Sequence, residues 1–167
     1  MKNIVLIGFM GTGKSAVGEE LAKLLKMRFV STDNIIEQRE KRPIVEIFEK
    51  SGEPYFRKVE KVVVKEVSGL DNIVIAAGGG AVLDDENMAN LKRYDVMICL
   101  TATPKVIYER TKDYKHRPLL NVDNPVEKIK QLLESRAPFY AKADHQIDTS
   151  DKSVAEIAKE VLEIIHV

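Results

Sequence analysis

The sequence is poor in residues on which several classes of protein depend. Its 167 residues include one cysteine and no tryptophan, and aromatic residues make up 6%. One cysteine excludes a disulfide framework within the chain, which fits a reducing compartment, so we expect a cytoplasmic protein. Cys99 lies in an apolar run and is predicted to be a buried core thiol. The few aromatic residues leave little from which to build a stacking surface for nucleic-acid bases.

An excess of charge of one sign is also absent, as are long apolar runs. Lys and Arg together number 26, and so do Asp and Glu. This balance argues against nucleic acid as the main partner, because binding to a phosphate backbone depends on many cations. No apolar run approaches the ~20 residues of a membrane-spanning helix. The chain enters a strand pattern at Asn3 without the features of a signal peptide. We therefore expect one domain over residues 1–167 with no membrane partner.

Apolar segments alternate with helical patterns along the chain. Short apolar runs typical of buried parallel strands occupy residues 3–7, 28–31, 72–76, 94–100 and 146–148. Helical patterns cover residues 15–26, 33–41, 54–68, 84–93, 104–111, 125–143 and 153–165. The alternation predicts an α/β fold, in which helices cover both faces of an open parallel sheet. Ligands of such sheets bind beyond the carboxyl ends of the strands.

Residues 8–15 read G-F-M-G-T-G-K-S and fit the phosphate-binding pattern G-x-x-x-x-G-K-S/T, the P-loop. A predicted strand precedes the motif and a predicted helix follows it, which argues against a glycine-rich turn that matches by chance. The glycines let backbone N–H groups turn toward phosphate oxygens, and the helix N-terminus adds its positive dipole end. Lys14 supplies charge for the β- and γ-phosphates, and the Ser15 hydroxyl is a candidate Mg²⁺ ligand.

Charged residues near the second predicted strand are candidates for binding the acceptor. Asp33 follows that strand, so its carboxylate could accept the proton of an acceptor hydroxyl. An equal alternative is that Thr32 or Asp33 is a helix N-cap. Arg57 and Glu60 lie three residues apart in a predicted helix, so Glu60 could hold the guanidinium in place for a carboxylate. From spacing alone, an ordinary surface ion pair is the better interpretation.

Glycines, a long loop and further arginines complete the candidates. Residues 78–80 are three glycines after the third predicted strand, which indicates a close backbone approach to a ligand or a tight turn. Residues 112–124 are polar and aperiodic, and a loop of this length beside a phosphate site is typical of a lid. Its only arginine, Arg117, could stabilise a transferring phosphoryl group. Arg110 could stack on adenine. Arg136 is a second candidate for carboxylate binding, or a solvated helix arginine.

A metal site made only of protein ligands is not predicted. The three histidines lack the spacing of metal ligands, and alanines stand at residues 76–77, where a strand-end aspartate of a Walker B motif usually lies. We expect Mg²⁺ to arrive with ATP.

Together, these segments resemble the shikimate kinase family in order and spacing over nearly the whole chain. The matching segments are residues 8–15, Asp33-x-x-Ile36-Glu37, Gly52-Glu53-x-x-Phe56-Arg57-x-x-Glu60, residues 78–80, Arg117-Pro118-Leu119-Leu120 and Arg136-x-x-x-Tyr140. The resemblance implies the P-loop kinase fold of nucleoside monophosphate kinases, a three-layer sandwich with a five-stranded parallel sheet and a lid over about 112–124. It implies transfer of the ATP γ-phosphate to the 3-hydroxyl of shikimate, in the route to chorismate and aromatic amino acids.

The resemblance also implies roles for single residues. The implied substrate-binding residues are Asp33, Phe48, Phe56, Arg57, Gly78, Gly79, Gly80 and Arg136. Arg57 and Arg136 would hold the shikimate carboxylate, and Asp33 would bind ring hydroxyls and act as the base. The implied nucleotide-binding residues are Gly11, Thr12, Gly13, Lys14, Ser15, Ala16, Arg110 and Arg117. The implied catalytic residues are Lys14, Asp33 and Arg117, with Ser15 holding Mg²⁺. We expect a monomer, because no long apolar helix face is left over.

Two departures and three rival functions qualify the resemblance. Ser31 stands where many family members carry an aspartate that supports Mg²⁺, and Ala77 replaces a hydroxyl residue. A gluconate kinase typically has His-Pro shortly after the equivalent aspartate, whereas this chain has residues N-I-I-E at 34–37. A nucleoside monophosphate kinase would need more arginines in the lid. A non-catalytic nucleotide-binding module with a decayed site is supported by Ser31 and Ala77 alone.

Overall fold

The structure is a computed structural model and describes residues 3–93, 96–114 and 122–166. Within these ranges the strands are β1 (Ile4–Ile7), β2 (Arg28–Ser31), β3 (Ile73–Ala76), β4 (Val96–Thr101) and β5 (His145–Asp148). The α-helices are α1 (Lys14–Leu25), α2 (Thr32–Glu40), α3 (Ile44–Ser51), α4 (Glu53–Val67), α5 (Asp85–Lys92), α6 (Pro104–Thr111), α7 (Pro125–Tyr140) and α8 (Val154–Ile165). A short 3-10 helix covers Ala81–Leu83.

The five strands form one parallel sheet in the order β2-β3-β1-β4-β5. Val5 at the centre pairs with Ile75 on one side and with Met97 on the other. Strands that come later in the chain lie on both sides of β1, so the strand order changes direction at β1. A crevice between diverging connections at the carboxyl end of such a strand is the usual ligand site of these sheets. The predicted α/β fold with a five-stranded parallel sheet is confirmed.

Alternating side chains of the strands enter two apolar clusters, one on each face of the sheet. In β1, Val5 and Ile7 pack in one cluster, whereas Ile4 and Leu6 pack in the other. Helices α1 and α8 cover the second cluster, and α2 to α7 contribute to the first. This is a three-layer arrangement in which strands buried on both faces read as continuous apolar runs. Cys99 is a buried free thiol in the first cluster, as predicted.

Helix α3 was not predicted. Pro43 precedes it and Gly52 ends it, so its eight residues lie between a typical start signal and a typical stop signal. Ile47 is fully buried in the first cluster, with Ile44 and Phe48 packed against that cluster. The segment was missed because eight residues give too few turns for a clear helical period.

Residues 28–31 and 104–111 are confirmed as β2 and α6, and the other predicted elements shift at one or both ends by one to three residues. Helix α7 ends at Tyr140 rather than at residue 143, and α1 ends at Leu25 because Lys26 adopts a left-handed conformation with φ 56°. Helix α8 begins with a capping box: Ser153 Oγ accepts a hydrogen bond from the Glu156 N–H, and the Glu156 carboxylate accepts one from the Ser153 N–H. Among the described residues, no helix combines the length and apolar character that crossing a bilayer requires.

Candidate active site

Two adjoining cavities open at the carboxyl edge of the sheet. The P-loop cavity, of about 490 Å³, is lined by the loop after β1, the start of α1 and Arg110. The arginine cavity, of about 160 Å³, lies between α2, α3, α4, the glycines at 78–80 and Arg136. The residues that line both cavities are Met10, Ser15, Ser31, Asp33 and Gly79. The two spaces therefore meet along a common wall.

The loop after β1 requires glycine at two positions, where its backbone passes close to other parts of the chain. Gly8 and Gly11 have φ values of 140° and 78°, which L side chains rarely adopt. A Cβ atom at Gly8 would clash with the Leu100 carbonyl oxygen, and one at Gly11 would lie 2.6 Å from Thr111 Cγ2. Thr12 is buried beneath the loop rather than lining the cavity, and its hydroxyl donates to the Phe9 carbonyl at 2.7 Å. Contacts on the buried side of the loop thus fix its backbone conformation.

Positive charge is concentrated where α1 begins. The Lys14 ammonium donates to the carbonyls of Gly8 at 2.7 Å and Phe9 at 2.9 Å, so it lies over the loop. Lys14 is also the first residue of α1, whose N-terminal N–H groups carry the positive end of the helix dipole. Gly13, Ser15 and Ala16 line the same cavity. This arrangement is suited to binding phosphate groups.

Arg110 is tied to the P-loop by Thr149, a residue that sequence reasoning missed. The Arg110 guanidinium donates to the Gly11 carbonyl at 3.2 Å, to Thr149 Oγ1 at 3.0 Å and to the Thr149 carbonyl at 2.6 Å. Thr149 Oγ1 lies 2.9 Å from the Thr12 carbonyl and 3.0 Å from the Thr101 carbonyl. The available signal was a hydroxyl residue directly after the fifth strand, at the edge where ligands bind. We call Arg110 and Thr149 the α6–β5 brace.

Two arginines from different helices meet at the arginine cavity. Arg57 of α4 pairs with Glu60 at 2.8 Å and with Glu53 at 3.2 Å. Glu60 is only 1% exposed, so the interpretation of Arg57 and Glu60 as a surface pair is wrong. Arg136 of α7 is 3% exposed, which excludes a solvated helix arginine. Its guanidinium carbon lies 5.4 Å from the centroid of the Phe9 ring, within reach of a cation–π contact.

The glycines at 78–80 leave room for charged side chains. A Cβ atom at Gly78 would lie 2.7 Å from Asp33 Oδ1 and 2.9 Å from Glu60 Oε2. One at Gly80 would lie 2.6 Å from Arg57 Nη1. A side chain at either position would displace a carboxylate or a guanidinium, which explains these glycines better than a simple tight turn does.

Asp33 lies in the first turn of α2, in the wall that both cavities share. The N-cap of α2 is Ser31, whose hydroxyl accepts a hydrogen bond from the Asn34 N–H at 3.3 Å, so the N-cap interpretation of Asp33 is wrong. The Thr32 hydroxyl accepts a hydrogen bond from the Gly78 N–H at 3.0 Å, which ties the start of α2 to the glycine segment. The Asp33 side chain thus lines both cavities and does not cap the helix.

Burial dominates the electrostatics of Glu60. It raises the pKa of the Glu60 carboxyl to about 7, against the opposing effects of the Arg57 and Arg136 cations, and the neighbouring Asp33 carboxylate raises it further. Near neutral pH the arginine cavity therefore holds a carboxyl group that can exist in either protonation state.

Aromatic side chains form the apolar wall of the arginine cavity. The rings of Phe48 and Phe56 lie 4.9 Å apart between centroids, inclined at 46°, and both line the cavity. Ile44, at the start of the unpredicted α3, also lines it. Every residue that the resemblance implies for substrate binding lies at this cavity.

Arg117 and the centre of the predicted lid, residues 115–121, lie outside the described residues. On one side of that segment, Tyr114 lines the P-loop cavity. On the other, Asn124 caps α7 by accepting a hydrogen bond from the Glu127 N–H at 3.3 Å. Within the described ranges, no group of three or more His, Cys, Asp or Glu residues could hold a metal ion.

The chain is similar to known proteins in both sequence and fold. The shikimate kinase family model matches residues 10–166. A shikimate kinase from Caldanaerobacter subterraneus subsp. tengcongensis is 50% identical over 162 residues, 97% of this chain and 95% of that protein. The solved shikimate kinase from Acinetobacter baumannii in complex with shikimate has a TM-score of 0.96 at 38% identity, covering 99% of this chain and 93% of that one. A gluconokinase from Sinorhizobium meliloti 1021, with a TM-score of 0.61 at 19% identity over 97% and 90% of the two chains, shares the fold.

Proposed function

The chain belongs to the shikimate kinase family, and we propose that it transfers the ATP γ-phosphoryl group to the 3-hydroxyl of shikimate. The products are shikimate 3-phosphate and ADP. The observation that carries this proposal is the common wall between a P-loop cavity and a cavity holding two arginines, with Asp33 in that wall. Residues of one chain line both cavities, so the proposed reaction needs no second copy of the protein.

The chemistry of the arginine cavity suits a small hydroxylated acid. Shikimate carries one carboxylate and several hydroxyls, and its carboxylate would pair with the guanidinium groups of Arg57 and Arg136. The Asp33 carboxylate and the Gly79 backbone would bind hydroxyls. Phe48 and Phe56 would pack against the ring. The arginine cavity is smaller than the P-loop cavity, about 160 Å³ against about 490 Å³, as expected for an acceptor smaller than a nucleotide.

Positioning and charge stabilisation account for the chemical step. Asp33 would accept the proton of the 3-hydroxyl as that oxygen attacks the γ-phosphorus. Lys14 and the loop N–H groups would stabilise the negative charge of the phosphate oxygens, with Arg117 contributing from the lid. Phosphoryl transfer requires no covalent intermediate on the protein, so these roles are sufficient.

The residues at the P-loop suit magnesium bound together with ATP. The Ser15 hydroxyl is a hard oxygen ligand at the border of both cavities. Since the described residues contain no cluster of acidic or histidine ligands, the remaining ligands would be phosphate oxygens and water. Bound Mg²⁺ would offset the negative charge that develops on the phosphate groups. Ser31 adds no carboxylate, and its hydroxyl caps α2.

The proposal is tested by ADP release with MgATP and shikimate, with gluconate, AMP and CMP as parallel acceptors. We expect rapid release with shikimate alone. Release with gluconate instead would retain the fold and the P-loop but reassign the arginine cavity. ATP binding without release for any acceptor would favour a non-catalytic nucleotide-binding module.

Arg57 provides a test of the substrate site. In the Arg57→Ala variant, the loss of a charged hydrogen bond to the carboxylate is expected to raise the KM for shikimate by about 10- to 100-fold, with the KM for ATP within about twofold of wild type. Steady-state kinetics with each substrate varied in turn measures both values. Arg39→Ala is the matched control, because Arg39 pairs with Glu66 on the exposed surface. An unchanged KM for shikimate would remove Arg57 from the site.

A further inference from the structure

Tyr140 makes a hydrogen bond that joins the end of α7 to the glycine segment. Its hydroxyl donates to the Gly79 carbonyl at 2.7 Å. The Tyr140 side chain is buried, and Tyr140 lies one helical turn after Arg136 in α7. Burial raises the pKa of Tyr140 to about 12, with an opposing effect from Arg136. The hydroxyl therefore keeps its proton, and remains a donor, at neutral pH.

Gly79 lies where the two cavities meet. A Cβ atom there would be 3.4 Å from the Gly8 carbonyl oxygen, 3.4 Å from the Met10 nitrogen and 3.5 Å from Arg136 Nη1. The space beside the Gly79 Cα is thus bounded by the P-loop and by Arg136, a proposed substrate-binding residue. A displacement of Gly79 into that space would bring its backbone against the P-loop or against Arg136.

The neighbouring peptides have anchors of their own, whereas the Gly79 carbonyl is held by a distant side chain. The Ala77 N–H donates to the Leu6 carbonyl at 3.0 Å, and the Ala81 N–H donates to the Gly78 carbonyl at 3.0 Å. Between them, three glycines have more conformational freedom than any other sequence would have. A hydrogen bond from a buried tyrosine 61 residues away in sequence restricts that freedom.

The geometry points to Tyr140 as a positioning residue for the acceptor: its hydroxyl holds the Gly79 peptide so that Arg136 and the P-loop keep the separation that in-line transfer requires. This inference rests on the proposed function. Tyr140 lines neither cavity, so it acts through Gly79 and its neighbour Arg136, and not by touching the substrate.

The P-loop keeps its shape without Tyr140, and this predicts an effect on one substrate only. Thr12 and Lys14 hold the loop by hydrogen bonds to the Phe9 and Gly8 carbonyls, and the α6–β5 brace holds it from the other side. Loss of the tyrosine hydroxyl should therefore disturb the acceptor side and leave nucleotide binding intact.

Tyr140→Phe removes the hydroxyl and keeps the ring in the core. We expect kcat/KM for shikimate to fall about tenfold, with the KM for ATP within about twofold of wild type. Tyr55→Phe is the matched control, because it removes a tyrosine hydroxyl that hydrogen-bonds Glu40 away from both cavities; this variant should retain wild-type kinetics. A melting curve for each variant reports any loss of stability. A lower Tm with kcat/KM for shikimate unchanged would mean that Tyr140 is only structural, and equal losses for both substrates would also overturn the inference.

Amide hydrogen exchange tests the same inference without any assumption about the reaction. In Tyr140→Phe, the amides of residues 78–83 should exchange several times faster than in wild type, and those of residues 9–16 should not change. Unchanged exchange at residues 78–83 would refute the positioning role. If wild type fails to phosphorylate shikimate but exchange responds as expected, the proposed function fails while the anchoring of Gly79 stands.

Discussion

At the scale of single residues, the arginine cavity places two cations, Arg57 and Arg136, beside three carboxyl groups, those of Asp33, Glu37 and Glu60. One Glu60 oxygen pairs with Arg57, and the other, Oε2, is buried with no hydrogen-bond partner in the part of the chain that the structure describes. That oxygen and Asp33 Oδ1 both lie against Gly78. Burying an incompletely paired carboxylate is costly, which is why the pKa of Glu60 rises despite its arginine partner.

The raised pKa of Glu60 predicts how stability changes with pH. Because the pKa rises from 4.5 to about 7 on folding, the folded protein binds this proton more tightly than the unfolded chain does. The resulting stabilisation is fully present below the unfolded pKa and is lost as the pH rises through the folded pKa. Between about pH 4.5 and pH 7.5, we expect the free energy of unfolding of wild type to fall by about 3 kcal/mol relative to Glu60→Gln.

Urea unfolding of both proteins across this pH range measures the difference. Glutamine has nearly the shape of the protonated acid but does not titrate, so it isolates the contribution of this one group. A difference that stays constant with pH would show that Glu60 does not titrate near neutrality.

At the scale of secondary-structure elements, the P-loop is held by parts of the chain that are far apart in sequence. The Thr149 hydroxyl at the end of β5 contacts the Thr12 carbonyl, 137 residues away, and Arg110 reaches from α6 to the Gly11 carbonyl. The carbonyls of Gly11 and Thr12 thus face the α6–β5 brace, and the N–H groups at the start of α1 remain available for phosphates.

Thr149→Val tests the α6–β5 brace. Valine has nearly the shape of threonine, but the change removes one of the three hydrogen-bond acceptors of Arg110 and the buried hydroxyl that contacts the Thr12 carbonyl. We expect the Kd for ATP to rise about 5- to 10-fold, with the KM for shikimate close to wild type. Calorimetric titration with ATP measures this Kd, and Thr149→Ser, which keeps the hydroxyl, is the control. Wild-type ATP affinity in the valine variant would show that the loop does not depend on Thr149.

At the scale of the whole molecule, both cavities lie at the carboxyl end of β1, where the strand order changes direction. The P-loop follows β1 directly, whereas the arginine cavity is assembled from α2, α3, α4 and α7 on the face of the first cluster. This position is open to solvent, and phosphoryl transfer requires that water be kept from the γ-phosphate. A segment that closes over the cavities is therefore expected, and residues 112–124 remain the predicted lid.

Arg117→Ala tests the contribution of this lid. If Arg117 stabilises the transferring phosphoryl group, its loss should lower kcat by about 10³-fold or more, while the melting temperature stays near that of wild type. Steady-state kinetics and thermal unfolding provide both values. Lys115→Ala, which removes a nearby cation from the same segment, should have a much smaller effect. Full activity of Arg117→Ala would refute the catalytic role.

The sequence by itself determined the fold class, the P-loop and the identity of most candidate residues. These features depend on short-range patterns: glycine where backbones turn, apolar runs where strands are buried, and charges at fixed offsets from strand ends. Asp33, Arg57 and Arg136 were recognisable because each lies in a motif of a few residues. Helix α3 was not, since its eight residues give too little periodicity.

Only the tertiary structure decided that Glu60 and Arg136 are buried rather than exposed on the surface. Spacing favoured a surface pair for Arg57 and Glu60, yet the packing of α4 against α2 and the glycine segment buries Glu60. The sequence placed Tyr140 in a motif with Arg136 and Thr149 directly after the fifth strand, but not their contacts, because their partners Gly79 and Thr12 are 61 and 137 residues away. Burial and long-range hydrogen bonds arise from how elements pack together, and a local pattern does not contain that information.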